Sequence, residues 1–368
     1  MQNIKGIVRF SRKHKTTLQR NNTPKGFHQR FQNHQITAMA FLSIETPLEL
    51  CRFLQMTIYH IENQINYPQY IHYTINKKRG GKRHISAPNQ QLKQIQKRLN
   101  YFLQAYYLWI KPKEVHGFVI NPHYLGKRCN IVENAKAHVG KAHILNIDLK
   151  DFFPNISAWQ VKNLFTSDYF GLNEQVATAL ALLTTYEAKL PTGAPTSPVL
   201  SNFICLQFDA DLRQFCQENR LQFTRYADDL TFSSDTPISQ DIIQRIKELI
   251  VENGFEVNEK KLRLTSSHSK QTVTGLIVNE KVNVDRALLK KTRAMVHDLS
   301  TNGVEMATRR HFNLRSIPSI KQEDYFLNRL VGYINFVGQV RGKDDVLYRK
   351  LLADFLPYDK QPAFHWER

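Results

Sequence analysis

Three aspartates at two places in the chain have the residue type and the setting to hold divalent cations. Asp148 ends the apolar run of residues 144–147, and Asp228 and Asp229 follow Tyr226 between two apolar stretches. Neighbouring like charges beside buried segments are costly unless a cation neutralises them. Mg²⁺ favours hard oxygen ligands, and two such ions about 3.5–4 Å apart can stabilise the entering and the leaving oxygen in nucleotide transfer. The pattern therefore predicts a site for two Mg²⁺ ions and nucleotide-joining chemistry.

Short strands are predicted to position these acids. Residues 144–148 are rich in branched apolar side chains, which predicts a buried strand with Asp148 at its carboxyl end. Residues 223–226 and 230–232 predict a hairpin, and the tight turn between them comprises residues 227–229. In the alternative interpretation, the Asp-Asp pair lies on an ordinary solvated turn and binds nothing.

A loop between the two acidic sites carries small residues and prolines. Residues 190–198 read LPTGAPTSP and precede an apolar helix that is predicted over residues 199–215. Gly193 would let the backbone approach a ligand closely. Ser197 and Pro198 would form the cap and the first position of the helix. A plain capped loop is the alternative interpretation.

Capping signals and periodicity predict the remaining elements. Thr46 opens a capping box with Pro47 at the first helical position, and one helix with an apolar face is expected to continue to Ile61. Further predicted elements are a hairpin of residues 71–75 and 84–87 and helices over residues 90–108, 238–253 and 325–340.

Six short segments occur in an order that resembles the reverse transcriptases. They are residues 81–88 (GKRHISAP), residues 116–118 (HGF), Asp148 with Phe153, residues 191–198 (PTGAPTSP), residues 226–229 (YADD) and residues 258–261 (NEKK). The resemblance covers roughly residues 45–280 and is specific because the order and the spacing agree as well as the segments. It implies an α+β, right-hand polymerase fold with fingers, a palm whose antiparallel sheet is backed by helices, and a helical thumb. The predicted domains are a basic N-terminal extension (1–44), fingers (45–110), palm with finger insertions (111–280) and RNA-binding thumb (281–368).

Two further motifs resemble those of the retron reverse transcriptases. Asn134 and His138 fit the NAxxH pattern, and Val273, Thr274 and Gly275 fit VTG; all five are predicted to bind RNA. The resemblance implies a bacterial enzyme that binds its own structured noncoding RNA, primes from a guanosine 2′-hydroxyl and leaves a branched RNA–DNA molecule (msDNA). It also implies a role in defence against phage, with an effector protein. Alternatively, Asn134 and His138 form a local contact on one helix face, and VTG is an ordinary strand end.

The resemblance assigns roles to residues around the predicted cation site. The three aspartates match the metal-binding acids, and the main-chain carbonyl of Leu149 would be an extra ligand. Phe153 matches the aromatic residue beneath the incoming sugar, where a flat ring excludes a ribose 2′-hydroxyl by a clash. Alternatively, Phe152 and Phe153 both belong to the core.

Basic residues and one loop are predicted to bind the incoming deoxynucleoside triphosphate. Lys82 and Arg83 match the residues that hold the triphosphate. Lys261 matches the lysine near the leaving group, and Lys260 fits nearly as well.

In the loop, Thr192 and Gly193 are predicted to lie at the nucleotide. Thr192 stands where most members have Gln, and its shorter side chain cannot make the same reach. The resemblance therefore supports the position of this loop and not a detailed contact by Thr192.

The charge of the chain favours a polyanionic partner. Its 51 Lys and Arg residues exceed its 32 Asp and Glu residues, which gives a formal net charge of +19 and suits a cognate RNA and its DNA product. Residues 1–44 contain no acidic residue and are an RNA-binding arm, a solvated tail or an organelle transit peptide. Arg329 and Arg341 are the predicted RNA contacts of the thumb.

Two other classes of protein remain as alternatives. The chain could be a reverse transcriptase of another lineage, such as the group II intron or diversity-generating type, or a non-catalytic RNA-binding protein that keeps the polymerase fold. No apolar run of 18 residues occurs in the sequence, so no membrane span is expected. Four cysteines without metal or disulfide spacing suit a reducing cytoplasm.

Overall fold

The computed structural model describes residues 27–77, 80–121 and 129–359. Residues 1–26 of the predicted basic extension lie outside these ranges. The chain divides into two compact units, one formed by residues 1–130 and 145–264 and the other by residues 131–144 and 265–368. The predicted division into an N-terminal extension, fingers, palm and thumb has boundaries that differ from those of the two units, and it stays a prediction.

Helices and strands alternate along the described residues. In chain order they are α1 (Phe27–Leu42), α2 (Pro47–Leu54), α3 (Ile58–Asn66), β1 (Tyr70–Asn76), β2 (Lys82–Pro88), α4 (Gln90–Ile110), α5 (Ile131–Lys136), β3 (His143–Asp148), α6 (Ala158–Thr166), α7 (Glu174–Thr184), α8 (Ser197–Ile204), α9 (Leu206–Glu218), β4 (Gln222–Tyr226), β5 (Asp229–Ser234), α10 (Gln240–Glu252), a 3₁₀ turn (Glu259–Lys261), β6 (Arg263–Ser266), β7 (Thr272–Val273), β8 (Leu276–Ile277), α11 (Arg286–His311), α12 (Ile320–Arg341), α13 (Val346–Phe355) and a second 3₁₀ turn (Leu356–Tyr358).

A four-stranded sheet carries the acids, with its strands in the order β4-β5-β3-β6. Strands β4 and β5 are antiparallel, and Tyr226 is paired with Asp229. The predicted hairpin is therefore confirmed, and its turn is reduced to Ala227 and Asp228. Ala227 adopts the left-handed region with φ of 60°, which is costly for any residue with a side chain. Strands and helices together confirm the predicted α+β class.

The first predicted helix is in fact two helices, so that prediction was wrong. Thr46 caps α2 by accepting a hydrogen bond from the Glu49 amide. Gln55 then turns into the left-handed region with φ of 53° and ends the helix, and Thr57 caps α3. The break was hidden because apolar residues continue at helical spacing on both sides of it.

The predicted hairpin before α4 is confirmed. Strand β1 pairs antiparallel with β2 over its whole length, from Tyr70 opposite Pro88 to Asn76 opposite Lys82. Gly80 and Gly81 both have positive φ, which suits the chain reversal that this hairpin requires. The basic residues Lys82 and Arg83 are the first two residues of β2.

The apolar segment after the Pro-rich loop differs from its prediction in two respects. Thr196, not Ser197, is the N-cap residue of α8, because the helix already begins at Ser197. The Ser197 hydroxyl donates to the Pro191 carbonyl at 2.8 Å. The predicted single helix is also interrupted at Cys205, where α8 ends and α9 begins.

The second unit is mainly helical. Its core combines Val273 and Leu276 of the β7–β8 hairpin with apolar residues of α5, α11, α12 and α13. Helix α11 is kinked at Gly303, whose φ of 75° is not helical. Among the helices that the structure describes, none is long and apolar enough to cross a membrane.

Candidate active site

Backbone hydrogen bonds place the end of β3 beside the tip of the β4–β5 hairpin. The Leu149 amide donates to the Asp228 carbonyl at 2.9 Å, and the Asn258 amide donates to the Asp148 carbonyl at 2.8 Å. Asp148 and Asp228 line one cavity of about 390 Å³. Residues that are 80 positions apart in the sequence (228 − 148) thus meet at one place.

The carboxylate of Asp148 is paired with a lysine. Lys261 Nζ lies 2.7 Å from Asp148 Oδ1, and Asn258 Nδ2 donates to Asp148 Oδ2 at 3.1 Å. Within the described ranges, no three His, Cys, Asp or Glu side chains form a group that could hold a metal ion as they stand. The oxygen donors themselves have the chemistry that Mg²⁺ requires, and a cation at Asp148 would compete with the Lys261 ammonium for Oδ1.

Two of the three acids have raised pKa values. Burial is the main reason that the pKa of Asp228 lies above its ordinary value, and the charge of Asp148 raises it further. Asp229 keeps exposed surface, yet partial loss of its hydration raises its pKa to about 6, and the charges of Asp228 and Asp148 contribute to the increase. Carboxylates that repel one another in this way are stabilised by a bound cation.

The raised pKa of Asp229 gives a pH-dependent stability difference. Folding favours the protonated form of Asp229, because its pKa of about 6 lies above the ordinary value of 3.8. The contribution of this acid to the stability of the fold is therefore complete below pH 3.8 and is lost as the pH rises through 6. In EDTA, we therefore expect the Asp229→Asn variant to be more stable than wild type at about pH 7.5 and to lose that advantage progressively as the pH falls from about 6 to about 4. Thermal unfolding of both proteins measures this, and a difference that is constant with pH would contradict it.

The same cavity is lined by basic and aromatic residues. Of the residues that the sequence predicts at the nucleotide, the lining includes Lys82, Arg83, Leu149, Phe153, Thr192 and Lys261. Lys77 and His84 also line it, and the sequence interpretation missed both. The hairpin register could have identified Lys77, whose amide donates to the Gly81 carbonyl across the turn. Lys260 is not among the lining residues, so the geometry favours Lys261.

The two adjacent phenylalanines have different environments. Phe152 is 5% exposed and packs against Phe255 in the core. Phe153 is half-buried and lines the cavity, with its ring 5.7 Å from the ring of Phe118. Only one of the pair is therefore a core residue, and Phe153 is the one available to a ligand.

Gly193 lies close to strand β2. Its φ is 129°, and a Cβ atom there would lie 2.8 Å from Ile85 Cγ2. The neighbouring Thr192 carbonyl accepts a hydrogen bond from the Ser86 amide at 2.8 Å. The glycine is therefore needed for packing of the loop on β2, and its contact with the nucleotide stays a prediction.

The predicted RNA contacts in the NAxxH motif are buried within the second unit. Asn134 and His138 are 1% and 0% exposed, and α5 ends at Lys136, so the two residues do not share a helix face. Buried side chains have no surface for a direct contact with RNA, which corrects that part of the prediction.

The VTG motif is only partly exposed. Val273 is buried, so it offers RNA no direct contact either. Thr274 donates from its hydroxyl to the Ile131 carbonyl at 3.3 Å, and Gly275 is exposed with φ of 83°. The RNA-binding role stays a prediction for Thr274 and Gly275.

The two thumb arginines already have partners. Arg341 forms an ion pair with Asp345 at 2.8 Å and donates to the Asn283 side chain. Arg329 donates to the Tyr333 hydroxyl at 2.8 Å. Both are partly exposed, so an RNA phosphate would share each guanidinium with its present partner.

Known proteins resemble the chain in sequence. The family described as reverse transcriptase (RNA-dependent DNA polymerase) matches residues 75–280. The retron Ec86 reverse transcriptase of Escherichia coli is 30% identical over 318 residues, which cover 84% of this chain and 91% of that protein. The retron Mx65 reverse transcriptase of Myxococcus xanthus is 33% identical over 266 residues, 66% of this chain and 59% of that protein. The retron Mx162 reverse transcriptase of the same organism is 32% identical over 273 residues, 62% of this chain and 52% of that protein.

Proposed function

Because this chain belongs to the reverse transcriptases, and within them to the retron enzymes, it is an RNA-directed DNA polymerase of the right-hand fold, and we propose that it copies part of a cognate structured noncoding RNA. Synthesis starts from a guanosine 2′-hydroxyl of that RNA and leaves branched RNA–DNA. The product acts with an effector protein in defence against phage. The observation that carries the polymerase proposal is the cavity that joins Asp148 and Asp228 to Lys82, Arg83 and Lys261.

The proposed cation ligands are hard oxygens. Asp148, Asp228, Asp229 and the carbonyl of Leu149 would hold two Mg²⁺ ions, whose charge would stabilise the entering and the leaving oxygen of nucleotide transfer. The raised pKa values of Asp228 and Asp229 support this role, since burial and the neighbouring carboxylates make the ionised forms costly, and a bound cation would offset that cost. The fit rests on the donor chemistry and on the convergence of the strand ends.

Basic residues of the cavity are proposed to bind the triphosphate. The Arg83 guanidinium can pair with two phosphate oxygens at once, and Lys82 adds a point charge. Lys77 and His84 line the same cavity and would extend this contact. Lys261, which is paired with Asp148, would approach the leaving phosphates.

Copurified nucleic acid tests the retron proposal. We expect the full-length protein, expressed in a bacterium with the adjacent genomic segment, to carry a species that resists DNase alone and is shortened by RNase and DNase together. Sequencing it should show RNA joined to DNA copied from that RNA. Protein that copurifies with no nucleic acid, while still extending an annealed primer on RNA, would contradict the self-primed mechanism and leave the polymerase assignment intact.

A further inference from the structure

A fully buried ion pair lies beneath the hairpin tip. Arg225 and Asp209 are both 0% exposed, and they form two parallel contacts, Nε to Oδ1 and Nη2 to Oδ2, each of 2.7 Å. Desolvation of two charges is so costly that apolar residues of similar size often give equal or greater stability. Stability alone therefore does not explain why charged residues are found here.

The guanidinium of Arg225 also holds the turn that carries Asp228. Its Nη1 donates to the Ala227 carbonyl at 3.2 Å and to Asn202 Oδ1 at 2.9 Å. Ala227 is the residue with φ of 60°, and such a conformation persists only where its surroundings hold it. Arg225 thus fixes the backbone immediately before Asp228.

A second segment closes the turn from the other side. Asn202 Nδ2 donates to the Gly117 carbonyl at 3.0 Å, and a Cβ atom at Gly117 would overlap the backbone nitrogen of Ala227. The His116 amide donates to the Arg225 carbonyl at 3.0 Å. The turn is therefore enclosed by residues 116–117, by Asn202 of α8 and, through Arg225, by Asp209 of α9.

We propose that Arg225, held by Asp209 and Asn202, is a positioning residue that sets the direction of Asp228 for cation binding. The proposal rests on the cation role proposed for Asp228 and Asp229. Mutually repelling carboxylates tend to turn away from one another, and a rigid turn keeps them in place for an incoming ion. A planar guanidinium suits this task because it donates to several partners in fixed directions.

Two variants of the full-length protein test the proposal by binding and not by activity alone. Arg225→Lys keeps a charge opposite Asp209 but cannot reach Asn202 and Ala227 as well, and Asn202→Ala keeps the ion pair. Binding of Mn²⁺ is measured by titration followed by electron paramagnetic resonance. The dissociation constant should rise by about 10- to 100-fold for Arg225→Lys and by about tenfold for Asn202→Ala, which is the range typical of groups that orient metal ligands. The Mg²⁺ concentration for half-maximal primer extension should rise in parallel.

Two control variants separate positioning from general destabilisation. Arg245→Lys makes the same chemical change in an exposed ion pair with Glu252, and it should leave Mn²⁺ binding unchanged. Leu212→Ala removes buried packing from α9, and it should lower the unfolding temperature with wild-type Mn²⁺ affinity.

The outcomes distinguish the inference from the proposed function. Wild-type Mn²⁺ affinity in folded Asn202→Ala and Arg225→Lys would overturn the positioning role, and so would an equal loss of affinity in Leu212→Ala. If Arg225→Lys does not fold, Asn202→Ala alone decides. Failure of the cation proposal would look different, because Asp228→Asn would then bind Mn²⁺ as tightly as wild type.

Discussion

Asp228→Asn is expected to reduce primer extension on an RNA template by about a thousandfold or more, because the loss of one ligand removes several kcal/mol of charge stabilisation from nucleotide transfer. Asp228 lines the cavity beside Asp148, and Asn has the same shape without the charge. The fold should tolerate the change, since burial already raises the pKa of this acid and makes its ionised form costly. Single-nucleotide extension with Mg²⁺ measures the effect.

An exposed acid provides the matched control. Asp241 lies in the first turn of α10, and Asp241→Asn should extend primers at the wild-type rate. RNA binding by Asp228→Asn should stay close to wild type, which would also distinguish the enzyme from a non-catalytic RNA-binding protein. Rapid extension by Asp228→Asn would overturn the assignment of this residue to the cation site.

Phe153→Val is expected to increase incorporation of ribonucleotides relative to deoxynucleotides by about 10- to 100-fold, the equivalent of relieving a steric clash of roughly 1–3 kcal/mol. The Phe153 ring lines the cavity against Phe118, and we expect it to leave no room for a ribose 2′-hydroxyl of the incoming nucleotide. Competition between one ribonucleotide and its deoxy counterpart in single-nucleotide extension measures the ratio.

A conservative variant separates shape from packing. Phe153→Tyr keeps the flat ring and should keep the preference for deoxynucleotides, while Phe153→Val should change the preference more than the rate with deoxynucleotides. If Phe153→Val slows both nucleotides equally and the ratio stays constant, the residue supports the cavity and does not select the sugar.

Local patterns were sufficient for the elements that present the site. The hairpins around Gly81 and Asp228 form between residues that are near in sequence, and their alternating residues and turn residues are visible without tertiary information. The breaks at Gln55 and Cys205 could not be predicted, because apolar residues continue on both sides and the interruption depends on packing against other elements.

Motifs identified much of the cavity lining but not the contacts beneath it. Asp209 is 16 residues from Arg225 and lies on a helix, where an acid usually faces solvent, so its pairing emerges only from the packed structure. The second unit combines residues 131–144 with residues from 265 onward, so the burial of Asn134 and His138 likewise emerges only from the packed structure. The sequence therefore identifies the NAxxH motif but not the burial of its residues.

In the proposed site, a single ammonium group would link cation binding to nucleotide binding. Lys261 can pair with the Asp148 carboxylate, as at 2.7 Å here, or with a phosphate in the adjoining cavity, but it cannot neutralise both fully. Under the proposed roles, a triphosphate that drew the lysine away would free the carboxylate for an ion, and an ion bound to the carboxylate would free the lysine for the triphosphate. Thermodynamic reciprocity makes the two enhancements equal, so neither ligand would saturate the enzyme independently of the other.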